Sequence, residues 1–366
     1  MENVSREVKG CKFVASLDIN SLYPSIKCDD ICELLRVKIL ESNIKVMDIN
    51  VKEMGIFLRK MLTTNELKSK GLLDYIPIRK KNKNIKDKKK TDDLWDESPK
   101  IATDDIVKIM WMETLVTSVK LVMKNHIYKF DKQIRVQTDE GSIGLKITGV
   151  LAEIKMLIWC ELLEIKLKDL EVHNDLNERF VDDITLIPTV TEPGLVFDGE
   201  KLSLSEDQKS KDLSIPSDRR TMNLIKTIAD SIDKNISVSF DVPSSYSDNK
   251  VPILDLKVGM NDNGEIEHIF YRKPIANKHL VMKNSAMDKH QKFNTLSQEC
   301  FRRLHNTSES ICEDVKVSIL NEFMVDMRNS GYSESERLNV LNAGIKTYRN
   351  LKQKEALGKK TILQRL

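Results

Sequence analysis

Ser16-Leu17-Asp18-Ile19-Asn20-Ser21-Leu22-Tyr23-Pro24-Ser25-Ile26 and Arg179-Phe180-Val181-Asp182-Asp183-Ile184 are the two stretches whose reading decides the fold. They set three carboxylates, Asp18, Asp182 and Asp183, among apolar residues of strand type. An unpaired negative charge there is costly unless a cation or partner offsets it. Neighbouring side chains on a strand face opposite ways, so Asp182 and Asp183 can converge only at a turn. The expectation is a tight hairpin with this pair at its tip, beside a strand carrying Asp18. Hard oxygen ligands of this kind suit Mg²⁺. Adjacent acids alone are more often solvated turn residues. The pairs at 29 and 30, 92 and 93, and 104 and 105 stand in polar or helix-starting contexts, where turn or capping roles suffice.

Outward from these stretches, the apolar residues from Lys12 to Ile26 read as one buried strand that ends near Pro24. Helical spacing follows from Ile31 to Leu40 and again over Val51 to Leu62. From Arg79 to Lys90 the chain reads RKKNKNIKDKKK, a loop that is either a solvated insertion or a phosphate-contacting segment. Thr103, Asp104 and Asp105 open a long amphipathic helix, with Thr103 as its N-cap. Gly141 and Gly144 lead into a deeply packed helix from Ile147 to Leu163. A second polar stretch, 196 to 220, reads as a surface insertion. A helix from Thr221 and a strand from Ile236 to Val242 come next. Two further strands, Val251 to Val258 and Glu265 to Tyr271, are joined through Asn261-Asp262-Asn263-Gly264 as a hairpin. From Lys289 the pattern is helical to the end, broken near Asn306 and Gly331, with basic residues on one face.

Composition bounds the function classes. The chain has 366 residues, 40% hydrophobic and 31% charged, enough for a sizeable core. A net charge of +3 conceals opposed local runs. Six scattered cysteines give neither a zinc ribbon nor a disulfide framework. Six isolated histidines give no metal pair, and no Ser-His-Asp set or phosphate-binding GxxxxGK segment is visible. No leader pattern and no apolar run of about 18 residues occurs, so the expectation is a nuclear or cytoplasmic protein without a membrane span.

Taken together, these residues resemble the reverse transcriptase domain of Penelope-like retroelements. Asp18 to Ile26 is similar to that family's first catalytic block, and Phe180-Val181-Asp182-Asp183 to its Tyr-Val-Asp-Asp block. Between them Gln137, Gly144, Ile147, Thr148, Ala152 and Met156 follow the spacing of its nucleotide-pocket block, with Glu140 where the family has glycine. Val251-Pro252-Ile253-Leu254-Asp255, Phe270-Tyr271-Arg272-Lys273-Pro274 and Phe301-Arg302-Arg303-Leu304 follow in the family's order. The first stretch is also similar to the leading catalytic block of family B DNA polymerases, but those carry Gly-Asp-Thr-Asp later, which this chain lacks.

The resemblance implies an α+β fold: a polymerase right-hand palm, an antiparallel sheet backed by helices, with a C-terminal helical thumb and the fingers largely missing. The palm would span residues 1–275, with partial fingers and two polar insertions at about 78–100 and 196–220, and the thumb 276–366. It implies template-directed nucleotidyl transfer by an RNA-directed DNA polymerase. Two Mg²⁺ ions, or Mn²⁺ in their place, would activate the primer 3′ oxygen and stabilise the leaving pyrophosphate. Asp18 and Asp182 would bind both metals and Asp183 would support them. Tyr23 would exclude a 2′-hydroxyl, although a half-buried core tyrosine reads equally well there. Gln137 and Gly144 would shape the nucleotide pocket, and Arg272, Lys273, Arg302 and Arg303 would contact primer or template backbone. The implied partners are an RNA or DNA template with its primer, deoxynucleotide triphosphates, and a longer polypeptide or partner supplying fingers. The alternative is an inactive or truncated remnant that binds nucleic acid without synthesis.

Overall fold

A computed structural model of the chain describes residues 11–45, 50–79, 95, 96, 98, 100–137, 139–142, 145–275 and 280–363. The basic run from 80 to 90 and Gly144 lie outside the described residues. In chain order the elements are β1 (Ala15–Ile19), α1 (Leu22–Ser25), α2 (Cys28–Glu41), α3 (Val51–Met61), α4 (Thr64–Ser69), α5 (Asp104–Lys124), β2 (His126–Phe130), β3 (Gln133–Gln137) and α6 (Lys146–Asp169). They continue as β4 (Asn174–Phe180), β5 (Asp183–Pro188), β6 (Leu195–Phe197), β7 (Leu202–Leu204), α7 (Glu206–Asp212), α8 (Ser217–Asp230) and β8 (Val238–Asp241). The last are β9 (Val251–Ile253), β10 (Leu256–Met260), β11 (Ile266–Phe270), α9 (Lys289–His305), α10 (Glu313–Asn329) and α11 (Glu334–Leu363). The fold is mixed α+β with small antiparallel sheets. No described helix is long and apolar enough to cross a membrane.

The chain divides into two compact units. One holds residues 20–162 and 232–237. Its core gathers Met54, Leu58, Leu67, Leu72, Ile76 and Met110 from α3, α4, the segment after it and α5. Burial of aliphatic side chains at this level contributes about 1.5–3 kcal/mol each. Thr63 and Glu66 form a reciprocal capping box at the start of α4, satisfying two orphan donors. Thr103 takes the N-cap position of α5 without a side-chain cap bond, so the helix start rests on the acidic first turn of Asp104 and Asp105. Buried Glu113 on α5 accepts from Arg36 at 3.1 Å and pairs with Lys70 at 2.9 Å. Burial pushes this carboxyl up, but those two cations outweigh it and hold it below the ordinary range.

The other unit holds residues 1–19, 163–231 and 238–366. Its main sheet runs β4-β5-β1-β8, all antiparallel neighbours. Period-two alternation buries Ala15, Leu17, Ile19, Ile184, Leu186 and Val238 on one face. The amphipathic α8 packs against β8 with Leu224, Ile225 and Ile228 buried. Its Lys226 ammonium and Asp230 carboxylate hold both backbone groups of Val238, which fixes where β8 starts. A second sheet, β11-β10-β9, precedes three helices whose core is Leu296, Cys300, Phe323, Met327 and Val340.

Two expectations need correction. The strand expected from 12 to 26 covers only Ala15–Ile19, because Ser21 turns left-handed at φ 54° and the chain closes a one-turn helix at Leu22. The stretch 196–220, read as a surface insertion, holds the end of β6, β7 and α7, with α8 starting at Ser217, and most of its residues are exposed. Asp212 at the end of α7 is buried and accepts from the Gly194 amide at 2.7 Å. The single strand expected over 251–258 is two strands, because Leu254 adopts φ 54° and makes a two-residue turn without any glycine to announce it. The β2–β3 hairpin is an element that the sequence pattern does not announce, since it turns on Asp131 and Lys132 and carries no Asn-Gly or Asp-Gly signature.

Candidate functional site

The register of the main sheet sets Asp18 of β1 directly opposite Asp183 of β5, and opposite Ser239 of β8 on the other side. Residues facing each other across an antiparallel pair share one face, with Cα atoms about 4.5–5.5 Å apart. Ser16 likewise faces Thr185 and Asp241. The face opposite the buried one is therefore polar: Ser16 and Asp18, Asp183 and Thr185, Ser239 and Asp241.

The hairpin differs in detail from the expected one. Phe180 pairs with Asp183, so the two-residue tip is Val181-Asp182 and Asp183 is already the first residue of β5. Val181 sits at φ 58°, a conformation that the first loop position of a II′ hairpin demands and that Gly usually supplies. A β-branched residue there stores strain, and such strain clusters at functional turns. Two bonds hold the tip. Arg179 Nη1 donates to the Val181 carbonyl at 2.8 Å. The Ile19 amide donates to the Asp182 carbonyl at 3.1 Å. The second bond ties the end of β1 to the turn, so Asp18 and Asp183 face each other on one sheet face and Asp182 stands in the adjoining turn.

Electrostatics report the crowding. Loss of water around Asp18 raises its proton affinity, and the charges of Asp183, Asp182 and Asp241 add to the rise while Lys273 opposes it. Asp183 is raised for the same reasons, desolvation and then Asp182, again opposed by Lys273. Lys273 follows β11 and is exposed, a cation beside an acidic face. Two participants escaped sequence reasoning. Asp241 shares the polar face, and the Tyr246 hydroxyl hydrogen-bonds to it. Burial first, and that bond second, push Tyr246 up to about 12. The alternation of Val238 and Phe240 with Ser239 and Asp241 was the available signal for Asp241. Lys257 adjoins, 2.6 Å from Asp248 and 5.7 and 5.6 Å from the Tyr246 and Tyr271 ring centres.

Among the described residues, no three His, Cys, Asp or Glu side chains are gathered into a group that could hold a metal ion. The chemistry of the donors on the polar face, hard carboxylate oxygens whose charges repel one another, matches Mg²⁺ rather than a thiolate or imidazole metal.

The remaining expected residues have these places. Tyr23 lies in α1, half-buried, its carbonyl accepting from Ile26 at 3.2 Å. Gln137 ends β3 and its amide donates to the Glu140 carbonyl at 3.1 Å, a turn-holding role. Glu140 itself pairs with Lys27 at 2.7 Å. At Gly141 the backbone comes close to a neighbour, since a Cβ there would stand 2.6 Å from the Tyr23 carbonyl; Gly144 lies outside the described residues. Three arginines expected to touch nucleic acid form ion pairs within the protein, Arg303 buried, Arg272 half-buried and Arg302 exposed. Arg303 is buried between Glu299 and Asp326, at 3.0 and 3.1 Å. Arg272 pairs with Asp326 at 2.6 Å, and Arg302 pairs with Glu299 at 2.9 Å and with Asp255. For Arg303 burial removes the guanidinium from any backbone phosphate, which corrects its assignment. Of the four basic residues, Lys273 is the one whose field reaches the carboxylates.

No family model and no curated protein sequence matches this chain. Fold and site define an α+β protein whose four-stranded antiparallel sheet carries a carboxylate-rich polar face.

Proposed function

We propose that this chain is a template-directed nucleotidyl transferase, an RNA-directed DNA polymerase of the Penelope-like type, with residues 1–275 as palm and the helices after it as thumb. The observation that supports this most is the pairing of Asp18 with Asp183 across β1 and β5, with Asp182 in the turn bonded to the end of β1. A polymerase needs acids from two separate segments on one surface, and this register supplies them. Asp18 and Asp182 would hold two Mg²⁺ ions and Asp183 would support them. When bound, such ions lower the pKa of an attacking hydroxyl and neutralise a leaving pyrophosphate.

The chain's own residues do the positioning. The β4–β5 turn fixes the backbone of Asp182 through the Ile19 amide, which sets where its side chain leaves the chain. The buried opposite face anchors Asp18 and Asp183 to the core. Lys273 balances part of the acidic charge and offers a cation to substrate phosphate. A primer and template, deoxynucleotide triphosphates and a nuclear or cytoplasmic setting belong to the same reading. The test is primer extension with Mg²⁺ and, separately, Mn²⁺. Wild-type protein extends the primer, whereas Asp182→Asn, with unchanged circular dichroism and melting, does not. Equal extension by the variant refutes the proposal. Salt-dependent binding without extension by the wild type favours a nucleic-acid-binding remnant.

A further inference from the structure

The β2–β3 hairpin is a two-faced ribbon from which the catalytic reading takes nothing but Gln137, at its end. Antiparallel pairing sets Tyr128 opposite Arg135 and His126 opposite Gln137, so these four share one face. Ile127 opposite Val136 and Lys129 opposite Ile134 make the other. The turn residues Asp131 and Lys132 take φ 46° and 62°, the paired left-handed positions of a I′ turn, which keeps the ribbon twisted and its register fixed. His126 and Tyr128 stack, ring centres 6.3 Å apart and planes 18° from parallel. Tyr128 is 39% exposed. Lys129, Lys132 and Arg135 are exposed as well, against the single acid Asp131.

A flat pair of rings flanked by cations on an exposed ribbon matches one ligand chemistry well. Bases of an unpaired strand stack on aromatic faces while Lys and Arg track the phosphates, with no need to read sequence. A blunt duplex hides its base faces and offers phosphates alone. We infer that the His126–Tyr128 face of the β2–β3 hairpin is a contact for single-stranded nucleic acid, Tyr128 stacking on a base and Lys132 and Arg135 meeting the backbone. The inference borrows the choice of partner from the proposed function. It does not depend on catalysis.

Fluorescence anisotropy with the full chain, an end-labelled oligothymidylate and a blunt duplex of equal length tests it. Tyr128→Ala is expected to weaken single-strand binding roughly 5- to 100-fold. Tyr128→Phe keeps the ring and is expected to stay within about twofold of wild type. Lys132→Gln with Arg135→Gln is expected to flatten the dependence of log K on log salt by about 0.7 for each phosphate that the protein no longer neutralises. Duplex binding by Tyr128→Ala is expected to stay near wild type. Unchanged single-strand affinity in Tyr128→Ala overturns the inference. So does a loss that Tyr128→Phe shares in full. So does a concentration-dependent self-association abolished by Ile134→Ser, which makes the ribbon a contact between copies instead. Asp182→Asn in the same assay separates the two ideas. If Tyr128-dependent binding persists while neither wild type nor variant extends a primer, the catalytic reading fails and this one stands.

Discussion

Replacing Arg303 with leucine separates a structural guanidinium from a nucleic-acid contact. The Arg303 side chain is 2% exposed, donates to Glu299 at 3.0 Å and Asp326 at 3.1 Å, and lies over the Phe270 and Phe323 rings with its guanidinium carbon 5.0 and 4.9 Å from their centres. Breaking a buried ion pair costs about 3–5 kcal/mol, because the partner is left charged without water. Here each carboxylate keeps a second arginine, Arg302 on Glu299 and Arg272 on Asp326, and leucine refills part of the volume. The lower end, about 3 kcal/mol, is expected. For a urea slope of about 2–3 kcal/mol per molar, the midpoint falls by about 1–1.5 M. Urea unfolding followed by circular dichroism reads the shift, and the salt dependence of DNA binding is measured alongside. A shift below about 0.3 M, together with a salt slope reduced by close to one phosphate's worth, would refute the reasoning and return Arg303 to the surface.

Other consequences follow from particular contacts. Val181→Gly releases left-handed strain of about 1–2 kcal/mol against about 0.5–1 kcal/mol of added chain entropy. Since Val181 is exposed, a net gain of about 0.5–1 kcal/mol is expected in denaturation, and a clear loss would show that the side chain packs. Gly141→Ala drives a methyl to 2.6 Å from both the Tyr23 carbonyl and Thr148 Cγ2, so a loss of about 1–3 kcal/mol is expected in thermal melts. Glu336 is held at about 2 by the Lys283 ammonium and by the backbone and hydroxyl of Ser333. Its folded pKa is below the ordinary value of 4.5, so its stabilisation is complete above that pH and is lost as pH falls from about 4.5 toward 2. Acid titration of Glu336→Gln is expected to show a shallower loss of stability over that window, and an identical limb would rule the pair out.

Much of the fold was legible because apolar periodicity is a strong signal over long segments. The helices α2, α3, α5, α6 and α9 to α11 fall where Ile, Leu, Met and Val recur at helical spacing. The breaks expected near Asn306 and Gly331 separate α9, α10 and α11. What was not legible turns on single residues. Ser21, Leu254 and Val181 adopt left-handed backbone without being Gly or Asn, so no turn chemistry marked the end of β1, the β9–β10 turn or the true tip of β4–β5. Asp131-Lys132 hid a hairpin for the same reason. At the site, the two acidic stretches named Asp18 and Asp183, which face each other across β1 and β5, and Asp182 in the turn beside them, but not Asp241, whose partner Tyr246 is set by tertiary packing. Arg303 read as a basic surface residue, because a local run of arginines does not reveal Glu299 and Asp326 waiting to bury it.

The central claim is that the carboxylate face of the β4-β5-β1-β8 sheet joins nucleotides. Single-turnover extension of a labelled primer on an RNA template, comparing wild type with Asp18→Asn in Mg²⁺, tests it most directly. Asp18 faces Asp183 across β1 and β5, and removing its charge without its volume relieves repulsion, so the variant is expected to melt no lower than wild type. Extension by wild type and its loss by at least about a hundredfold in a fully folded Asp18→Asn protein is the predicted result. Extension at the wild-type rate by that folded variant would contradict the account.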